Sequence, residues 1–414
     1  MTTTTAVPQI RTVAGPGGCW PTHLQELVLD AALGDLDQAV AAFSEWVVAT
    51  GFDEVENGSF RVLPLVEHNF EQLGITNEWS AHLRGILRRS WYENQVMLHA
   101  TLPAVDVLQA AGIDVVVFKG AALGVLEYQG VGVRPMDDLD LLVPEDHAAD
   151  ALEALLAAGW QPGDVPLPRP LGALPEAFRR FRHGAPLHGP GGYDADLHWH
   201  ATEAWCWPGA DAGLWTATRA FELQGRRVLA LSAGDELLIT CVHGLHWNAV
   251  PPMRWVADAV TLIRSESIAW PALLERAREL YVEPQLVLAF DYLVRRFDAP
   301  VPESVIGALR ERRPDRFERA WFEALLHAGD MRTLAAHYGR YLRGARTDTG
   351  VRRWVGGLAA HLTYLFGCDS TNQLPAEIGR RARTRLGRRA PGRYSSRSAP
   401  LLSASDGHEP EGLW

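Results

Sequence analysis

The sequence predicts an α+β fold in which a small mixed sheet lies between an N-terminal and a C-terminal helical region. Three observations support this prediction. Residues 114–143 read as two short strands joined by a turn and a connecting segment. Residues 193–200 alternate between apolar and polar side chains, which is the period of a strand. Most of the remaining chain carries apolar residues at helical spacing.

The same patterns divide the chain into five segments. The first 20 residues are rich in Thr, Gly and Pro, and we expect them to be disordered. Helical spacing begins at Pro21 and recurs over 63–73 and 78–111, where Pro103 should break the helix. The predicted segments are a disordered N-terminus over 1–20, a helical region over 21–112, a sheet core over 113–232, a helical domain over 233–376 and a disordered Arg-rich tail over 377–414.

Further elements are predicted within the core and after it. Residues 162–192 are rich in Pro and Gly, and we interpret them as a long loop with a short helix near 175–182. The other predicted elements are strands over 115–118 and 226–231, a second strand through Asp138 and Asp140 to Val143, and helices over 145–158, 235–247 and 253–264.

Composition describes an ordinary globular protein, since 47% of its 414 residues are hydrophobic and 21% are charged. The net charge of -11 argues against a general nucleic-acid-binding surface. No run approaches the roughly 18 apolar residues of a membrane span, and the N-terminus lacks the pattern of a signal peptide. The four cysteines are scattered, which indicates neither a disulfide framework nor a zinc site. We therefore expect a cytoplasmic protein whose partners include neither membrane nor nucleic acid.

Two aspartates on the second predicted strand are the strongest functional signal. Asp138 and Asp140 lie two residues apart, so their side chains project from the same strand face, about 7 Å apart. Like charges this close repel each other, which does not favour folding. A divalent cation removes the repulsion, and Mg²⁺ is the usual partner of carboxylates that also hold phosphates. The pair therefore predicts a magnesium site.

Lys119 is the only lysine of the chain, and every other basic residue except histidine is arginine. It precedes Gly120 in the turn between the two predicted strands. A compact ammonium beside a glycine suits a point-charge contact to phosphate, and the glycine lets the backbone approach a phosphate closely. Chance retention of one lysine is the alternative.

The polar face of the predicted strand 193–200 offers more candidate ligands. It carries Asp194, Asp196, His198 and His200, whereas the opposite face is apolar. We interpret two carboxylates and two imidazoles on one face as the wall of a site, with an ordinary half-exposed edge strand as the alternative. A Lys-Gly turn, a DxD strand and a further carboxylate are typical of two-metal phosphoryl or nucleotidyl transfer.

These motifs resemble those of the DNA polymerase β-type nucleotidyltransferase superfamily. More narrowly, FKGAAL, VRPMDDLDLLV, ADLHWH and CVHGLHWNAVPPMRWVADAVTLI are similar to a bacterial family of uncharacterised nucleotidyltransferases. The resemblance implies that Asp138 and Asp140 are paired metal ligands and catalytic residues, with Asp196 as the third carboxylate. Asp194 is the alternative third ligand. It also implies two Mg²⁺ ions, or Mn²⁺, and a nucleoside triphosphate such as ATP as co-substrate.

The resemblance also assigns a nucleotide-binding turn to Lys119, Gly120 and Ala121. The superfamily has a serine where this chain has Ala121, which leaves the contact with phosphate to Lys119 and backbone N–H groups. Arg134 would reach the triphosphate or orient the turn, and a structural ion pair with Asp137 or a contact with a helix end is the alternative.

A second polar group, comprising His243, His246 and Asp258, follows in the C-terminal helices. The two histidines lie three residues apart and therefore share a helix face. Three interpretations stay open: a polar seam against the sheet, a contact with substrate, or a separate metal site. With Asp194 and His198, these residues are the candidate substrate contacts.

The expected function is Mg²⁺-dependent transfer of a nucleoside monophosphate to a hydroxyl or phosphate group, with release of pyrophosphate. The acceptor would be a small molecule, a peptide or a protein. A non-catalytic nucleotidyltransferase-like binding protein is the alternative, which the replacement of serine by Ala121 favours and the three carboxylates disfavour.

Overall fold

A computed structural model of the protein describes residues 18–51, 55–128, 130–163, 167–168, 174–248, 251–265, 268–326, 358–364, 366, 368 and 370–387. These residues form a mixed α+β fold with a seven-stranded sheet, which confirms the predicted fold class. Of the helices in these ranges, none is both long and apolar enough to cross a membrane. The predictions for residues 1–17 and 388–414 lie outside the described residues.

Six helices precede the sheet in the chain. Thr22 and Gln25 begin the first helix with reciprocal side-chain-to-backbone hydrogen bonds of 3.3 and 2.9 Å. Pro103 begins the sixth helix, because proline lacks the N–H that a helix interior needs and the first turn does not. These helices are α1 (His23–Leu33), α2 (Leu36–Thr50), α3 (Asn57–Phe60), α4 (Leu63–Leu73), α5 (Ser80–Thr101) and α6 (Pro103–Ala110).

The strands are β1 (Val116–Val117), β2 (Asp138–Leu142), β3 (Gln161–Pro162), β4 (Gly184–His188), β5 (Asp194–His198), β6 (Arg219–Leu223) and β7 (Arg226–Ala230). Their order in the sheet is β3-β4-β5-β2-β1-β7-β6. The β2–β5 and β1–β7 pairs are parallel, and the other neighbours are antiparallel. The two acidic strands are therefore direct neighbours in the middle of the sheet.

The other helices lie between the strands and after them. Those between strands are α7 (Gly120–Leu126), α8 (Ala148–Ala157), α9 (Glu176–Phe181) and α10 (Ala212–Trp215). Those after the sheet are α11 (Ala233–Gly244), α12 (Arg254–Ser265), α13 (Trp270–Leu280), α14 (Glu283–Phe297), α15 (Glu303–Glu311), α16 (Arg316–Leu325) and α17 (Leu374–Gly387). Residues 358–364 are also helical.

Each face of the sheet packs into its own apolar core. Leu139, Leu141 and Leu197 belong to the core that includes α6 and α8. Leu142 belongs to the other core, which includes α1, α2, α4 and α11–α15. Because side chains alternate along a strand, Asp138 and Asp140 project from the same face as Leu142, toward α11 and α12.

Several elements of the structure were not predicted from the sequence. The connecting segment after Lys119 begins with a helix, α7. The predicted loop over 162–192 contains β4, which completes the pairing of β5, and β6 also escapes the sequence patterns. β4 and β6 are only five residues long, and β4 also contains Gly184 and Pro186, which are typical of turns.

The predicted disordered ends are also too long. Gly18 pairs with Asn248 and Cys19 is buried, so residues 18–20 are ordered. Residues 377–387 continue α17, because Leu, Ala, Glu and Arg favour helix and Glu377 pairs with Arg380 one turn later.

Candidate active site

The register of β2 and β5 brings carboxylates from distant parts of the chain together. Asp140 lies opposite Asp196, and Asp138 lies opposite Asp194. His198 follows Asp196 on the same strand face, and its Nε2 lies 3.0 Å from Oδ1 of Asp140. Ligand atoms of Asp140, Asp196 and His198 all lie within 4.8 Å of one another. This set could hold a metal ion.

The electrostatics of the cluster fit a cation. Desolvation, together with the charges of Asp140 and Asp196, raises the pKa of Asp138 to about 8. Desolvation and the charge of Asp140 also raise the pKa of Asp196, although His198 opposes this shift. For Asp140, desolvation is outweighed by Lys119 and His198, which hold its pKa below the ordinary value. The ionised aspartates therefore carry a mutual repulsion that a divalent ion would relieve.

His198 is a further donor suited to a metal ion. Its side chain is only 2% exposed, and its Nδ1 atom is buried without a hydrogen-bond partner among the described residues. Carboxylate oxygens suit Mg²⁺ and Mn²⁺, whereas an imidazole nitrogen suits transition metals. The two carboxylates of this set are therefore compatible with the Mg²⁺ or Mn²⁺ that the sequence predicts.

Lys119 lies directly beside these carboxylates. Its Nζ donates to Oδ1 of Asp140 over 2.8 Å. Desolvation would lower the pKa of Lys119, but the charge of Asp140 dominates and raises it. The backbone of Lys119 has φ 50° and ψ -123°, a conformation that L residues rarely adopt. Strained backbone of this kind clusters at functional sites.

Gly120 begins α7 where the backbone passes close to other groups. A Cβ atom at this position would lie 2.8 Å from Nη1 of Arg134 and 3.1 Å from Cγ of Met136. Only glycine therefore fits this packing. The next residue, Ala121, is buried.

Glu236 holds the strained turn and was not predicted from the sequence. The backbone N–H of Lys119 donates to Oε1 of Glu236 over 2.7 Å, and Glu236 is 2% exposed. Burial raises the pKa of this carboxyl to about 7, although Lys119 opposes the shift. In the sequence, Glu236 is an acidic residue in the first turn of α11, where its negative charge is expected to interact favourably with the helix dipole. Because this role already explains an acidic residue at this position, the sequence gives no sign of the contact with Lys119.

Arg134 and Asp258 form a buried ion pair. Nε and Nη2 of Arg134 each donate to Asp258 over 2.8 Å, and Tyr128 Oη donates to the same carboxylate over 2.7 Å. Nη1 of Arg134 also lies close to Gly120, and the ion-pair partner of Arg134 is Asp258. Asp137, the alternative partner considered from sequence, pairs with Arg61.

The histidines of α11 and the segment after it lie near the cluster. The side chain of His243 is exposed to solvent, yet surrounding protein and the charge of Lys119 lower its pKa to about 3. The imidazole of His243 is therefore neutral near pH 7. His246 follows α11, and its Nδ1 lies 3.0 Å from the carbonyl oxygen of His243.

Asp194 and His200 have partners away from the cluster. Oδ1 of Asp194 lies 2.7 Å from Nδ1 of His188 on β4. His200 lies beyond the end of β5, and its Nδ1 is 2.6 Å from Oδ2 of Asp211. The predicted polar strand face therefore divides into a central pair, Asp196 and His198, and two flanking residues.

Comparison with known proteins identifies a related family. A family model described as "Uncharacterised nucleotidyltransferase" matches residues 59–298, which is more than half of the 414-residue chain. A search of curated proteins returns no match. Among solved structures, an antigenic nucleotidyltransferase-like protein from Paracoccidioides brasiliensis is 17% identical, with a TM-score of 0.34. The similarity covers 51% of this chain and 95% of that one.

Proposed function

We propose, because this chain belongs to the uncharacterised nucleotidyltransferase family, that it transfers a nucleoside monophosphate from an NTP to a small-molecule, peptide or protein acceptor. The observation that carries the proposal is the juxtaposition of Asp138, Asp140 and Asp196 beside Lys119. In this proposal residues 113–232 are the catalytic core, and residues 21–112 and 233–376 are helical regions that flank it.

The reaction forms one bond and breaks one. The acceptor oxygen bonds to the α-phosphorus, and the bond from that phosphorus to the bridging oxygen of the leaving pyrophosphate breaks. For a hydroxyl acceptor, we assign the departing proton to the carboxylate of Asp196. Mg²⁺ or Mn²⁺ held by Asp138, Asp140 and Asp196, with His198 beside them, would supply positive charge to the phosphate oxygens.

The chain's own groups contribute positioning and charge. Lys119 Nζ, now 2.8 Å from Asp140, is placed to share its charge with an incoming phosphate. Glu236 holds the backbone of Lys119, and His243, which is close enough to Lys119 to feel its charge, is a neutral side chain that can contact substrate. Preorganised charge of this kind is the main source of catalysis in phosphoryl transfer.

Calorimetric titration with a non-hydrolysable NTP and Mg²⁺ tests the proposal. The wild type should bind, and the Asp138→Asn/Asp140→Asn variant should lose metal-dependent binding while remaining folded. Lys119→Ala should raise the KM for the nucleotide. Equal binding by the wild type and the double variant would place the nucleotide in another pocket.

A non-catalytic nucleotide-binding protein is the second candidate, and the buried Ala121 in the turn favours it. Incubation with labelled NTPs and with small-molecule, peptide, protein and RNA acceptors separates the two. A transferred label that requires Asp140 supports the enzyme. Metal-dependent binding without pyrophosphate release for any acceptor supports the binding protein.

A further inference from the structure

Two arginines lie close together beside the segment that leads into β2, although one precedes the sheet core in the chain and the other follows it. Arg61 follows α3, and Arg254 is the first residue of α12. The segments that carry the two arginines are in contact: Oγ of Ser59 in α3 lies 3.9 Å from Sδ of Met253, the residue before α12. Both arginines reach the segment that leads into the acidic strand: Arg61 pairs with Asp137, and Nη1 of Arg254 lies 3.3 Å from the carbonyl oxygen of Pro135.

This pair has more positive charge than its surroundings neutralise. Nε and Nη2 of Arg61 are buried and have no hydrogen-bond partner in the part of the chain that the structure describes. The one carboxylate that pairs with Arg61 belongs to Asp137, whose side chain is 68% exposed. Arg254 forms no ion pair within the described ranges. By contrast, Asp258 neutralises the neighbouring Arg134.

The pKa of Arg254 reflects this imbalance. Desolvation and the charges of Arg61 and Arg134 lower the pKa of Arg254 to about 10, although the charges of Asp258 and Asp137 oppose this shift. The guanidinium of Arg254 thus lies close enough to those of Arg61 and Arg134 to be repelled by both. An anion at this position would relieve the repulsion and satisfy the buried N–H groups of Arg61.

The arginines adjoin the candidate active site. Arg61 pairs with Asp137 and Arg254 reaches Pro135, so both contact the three-residue segment that precedes Asp138, and Arg134 lies close to Gly120. An NTP whose α-phosphate lies at Asp138 and Asp140 would therefore have its β- and γ-phosphates within reach of the cluster.

The geometry points to Arg61 and Arg254 as the subsite for the β- and γ-phosphates of the NTP, and hence for the pyrophosphate that leaves. The inference rests on the proposed function. Planar guanidinium groups bind phosphate oxygens in a bidentate manner, which lysine does not. The two arginines come from the N-terminal and C-terminal helical regions, so both regions would contribute to the site. Their charge would stabilise the leaving group as the bond to the α-phosphorus breaks.

Titration with pyrophosphate in the presence of Mg²⁺ tests this subsite without nucleotide or turnover. Arg61→Gln and Arg254→Gln should each weaken pyrophosphate binding by about tenfold or more. The affinity for the nucleoside monophosphate should change by less than about twofold. Arg278→Gln, in α13, is a matched control and should change neither affinity. Thermal unfolding checks that each variant is folded.

Asp137→Asn is a second variant at an exposed position. It frees Arg61 from its competing carboxylate, so pyrophosphate affinity should rise by about threefold. Unchanged pyrophosphate affinity in the folded arginine variants, or no pyrophosphate binding by the wild type, would overturn the inference. So would equal losses of pyrophosphate and monophosphate affinity.

The two proposals fail in different ways. If the wild type binds NTP in a metal-dependent manner and the arginine variants bind it equally well, the subsite is wrong and the proposed function stands. If pyrophosphate binding requires both arginines but no NTP binds and no label is transferred, the anion site stands and the nucleotidyl transfer is wrong.

Discussion

Lys119 adopts a strained backbone conformation, and a single buried carboxylate holds it. A residue in such a region of φ and ψ costs of order 1–3 kcal/mol. The hydrogen bond from its N–H to Glu236 is 2.7 Å long, and the acceptor side chain is buried. At the scale of the residue, the presentation of Lys119 to Asp140 therefore depends on Glu236, from a helix that follows more than a hundred residues later.

Two replacements of Glu236 should distinguish the effect of its hydrogen bond with Lys119 from the effect of its charge. Glu236→Ala leaves the N–H of Lys119 buried without an acceptor, so the free energy of unfolding should fall by about 1–3 kcal/mol. Glu236→Gln retains an oxygen acceptor and should be milder. Denaturant unfolding measures the first effect, and NTP titration should show weaker binding for the alanine variant alone. Equal behaviour of both variants would contradict the assigned role.

Glu236 should also make stability depend on pH. Its pKa rises from the ordinary 4.5 to about 7 on folding, so the folded state binds this proton more tightly than the unfolded state. The resulting stability is fully present below about pH 4.5 and is lost as the pH rises through about 7, a change of about 3–4 kcal/mol. Wild type and Glu236→Gln should be unfolded with denaturant at several pH values. The difference between their free energies of unfolding should change over this range, and a constant difference would refute the assignment.

At the scale of elements, α11 and α12 are packed so closely that only glycine fits between them. A Cβ atom on Gly244 would lie 2.2 Å from Cγ of Trp255. Since α11 carries Glu236 and His243, and α12 carries Arg254 and Asp258, this contact sets the distance between the two sides of the site.

Gly244→Ala should therefore destabilise the protein by about 1–3 kcal/mol through overpacking. It should also weaken NTP binding, because α12 must move. Gly307→Ala in α15 is the matched control, since no atom of the described residues outside its own helix lies within 4 Å of its Cβ position. That change should stabilise the protein by about 0.5–1 kcal/mol through helix propensity. Thermal unfolding and nucleotide titration of both variants test the prediction, which fails if Gly244→Ala is neutral.

At the scale of the whole molecule, the Arg134–Asp258 pair joins the segment before β2 to the C-terminal helices. Both side chains are less than a tenth exposed, and two hydrogen bonds link them. Removal of one partner leaves an uncompensated buried charge, which typically costs about 3–5 kcal/mol.

Arg134→Met should accordingly lower the free energy of unfolding by about 3–5 kcal/mol. The control is Arg226→Met, which breaks an equally well-aligned but more exposed pair with Asp106 and should cost less than about 1 kcal/mol. Denaturant unfolding of the two variants measures the contrast. Similar losses would mean that the buried pair does not couple the sheet to the helices.

The sequence predicted those parts of the molecule that follow from local periodicity and local chemistry. The alternation over 193–200 placed Leu197 and Asp196 on opposite strand faces, and the structure confirms it. Apolar spacing gave α4 and α5, and proline chemistry gave the break at Pro103. The strand through Asp138 and Asp140 was recognisable because its signal lies within a few neighbouring residues.

Tertiary structure alone decided which distant groups meet. Only the parallel register of β2 and β5 sets Asp140 opposite Asp196 and leaves Asp194 opposite Asp138, beside His188. Likewise, Glu236 and Arg254 look like ordinary helical residues until α11 and α12 pack against the sheet face that carries the aspartates. Periodicity reports which face of an element is buried, whereas these contacts depend on how elements far apart in the chain are positioned against one another in three dimensions.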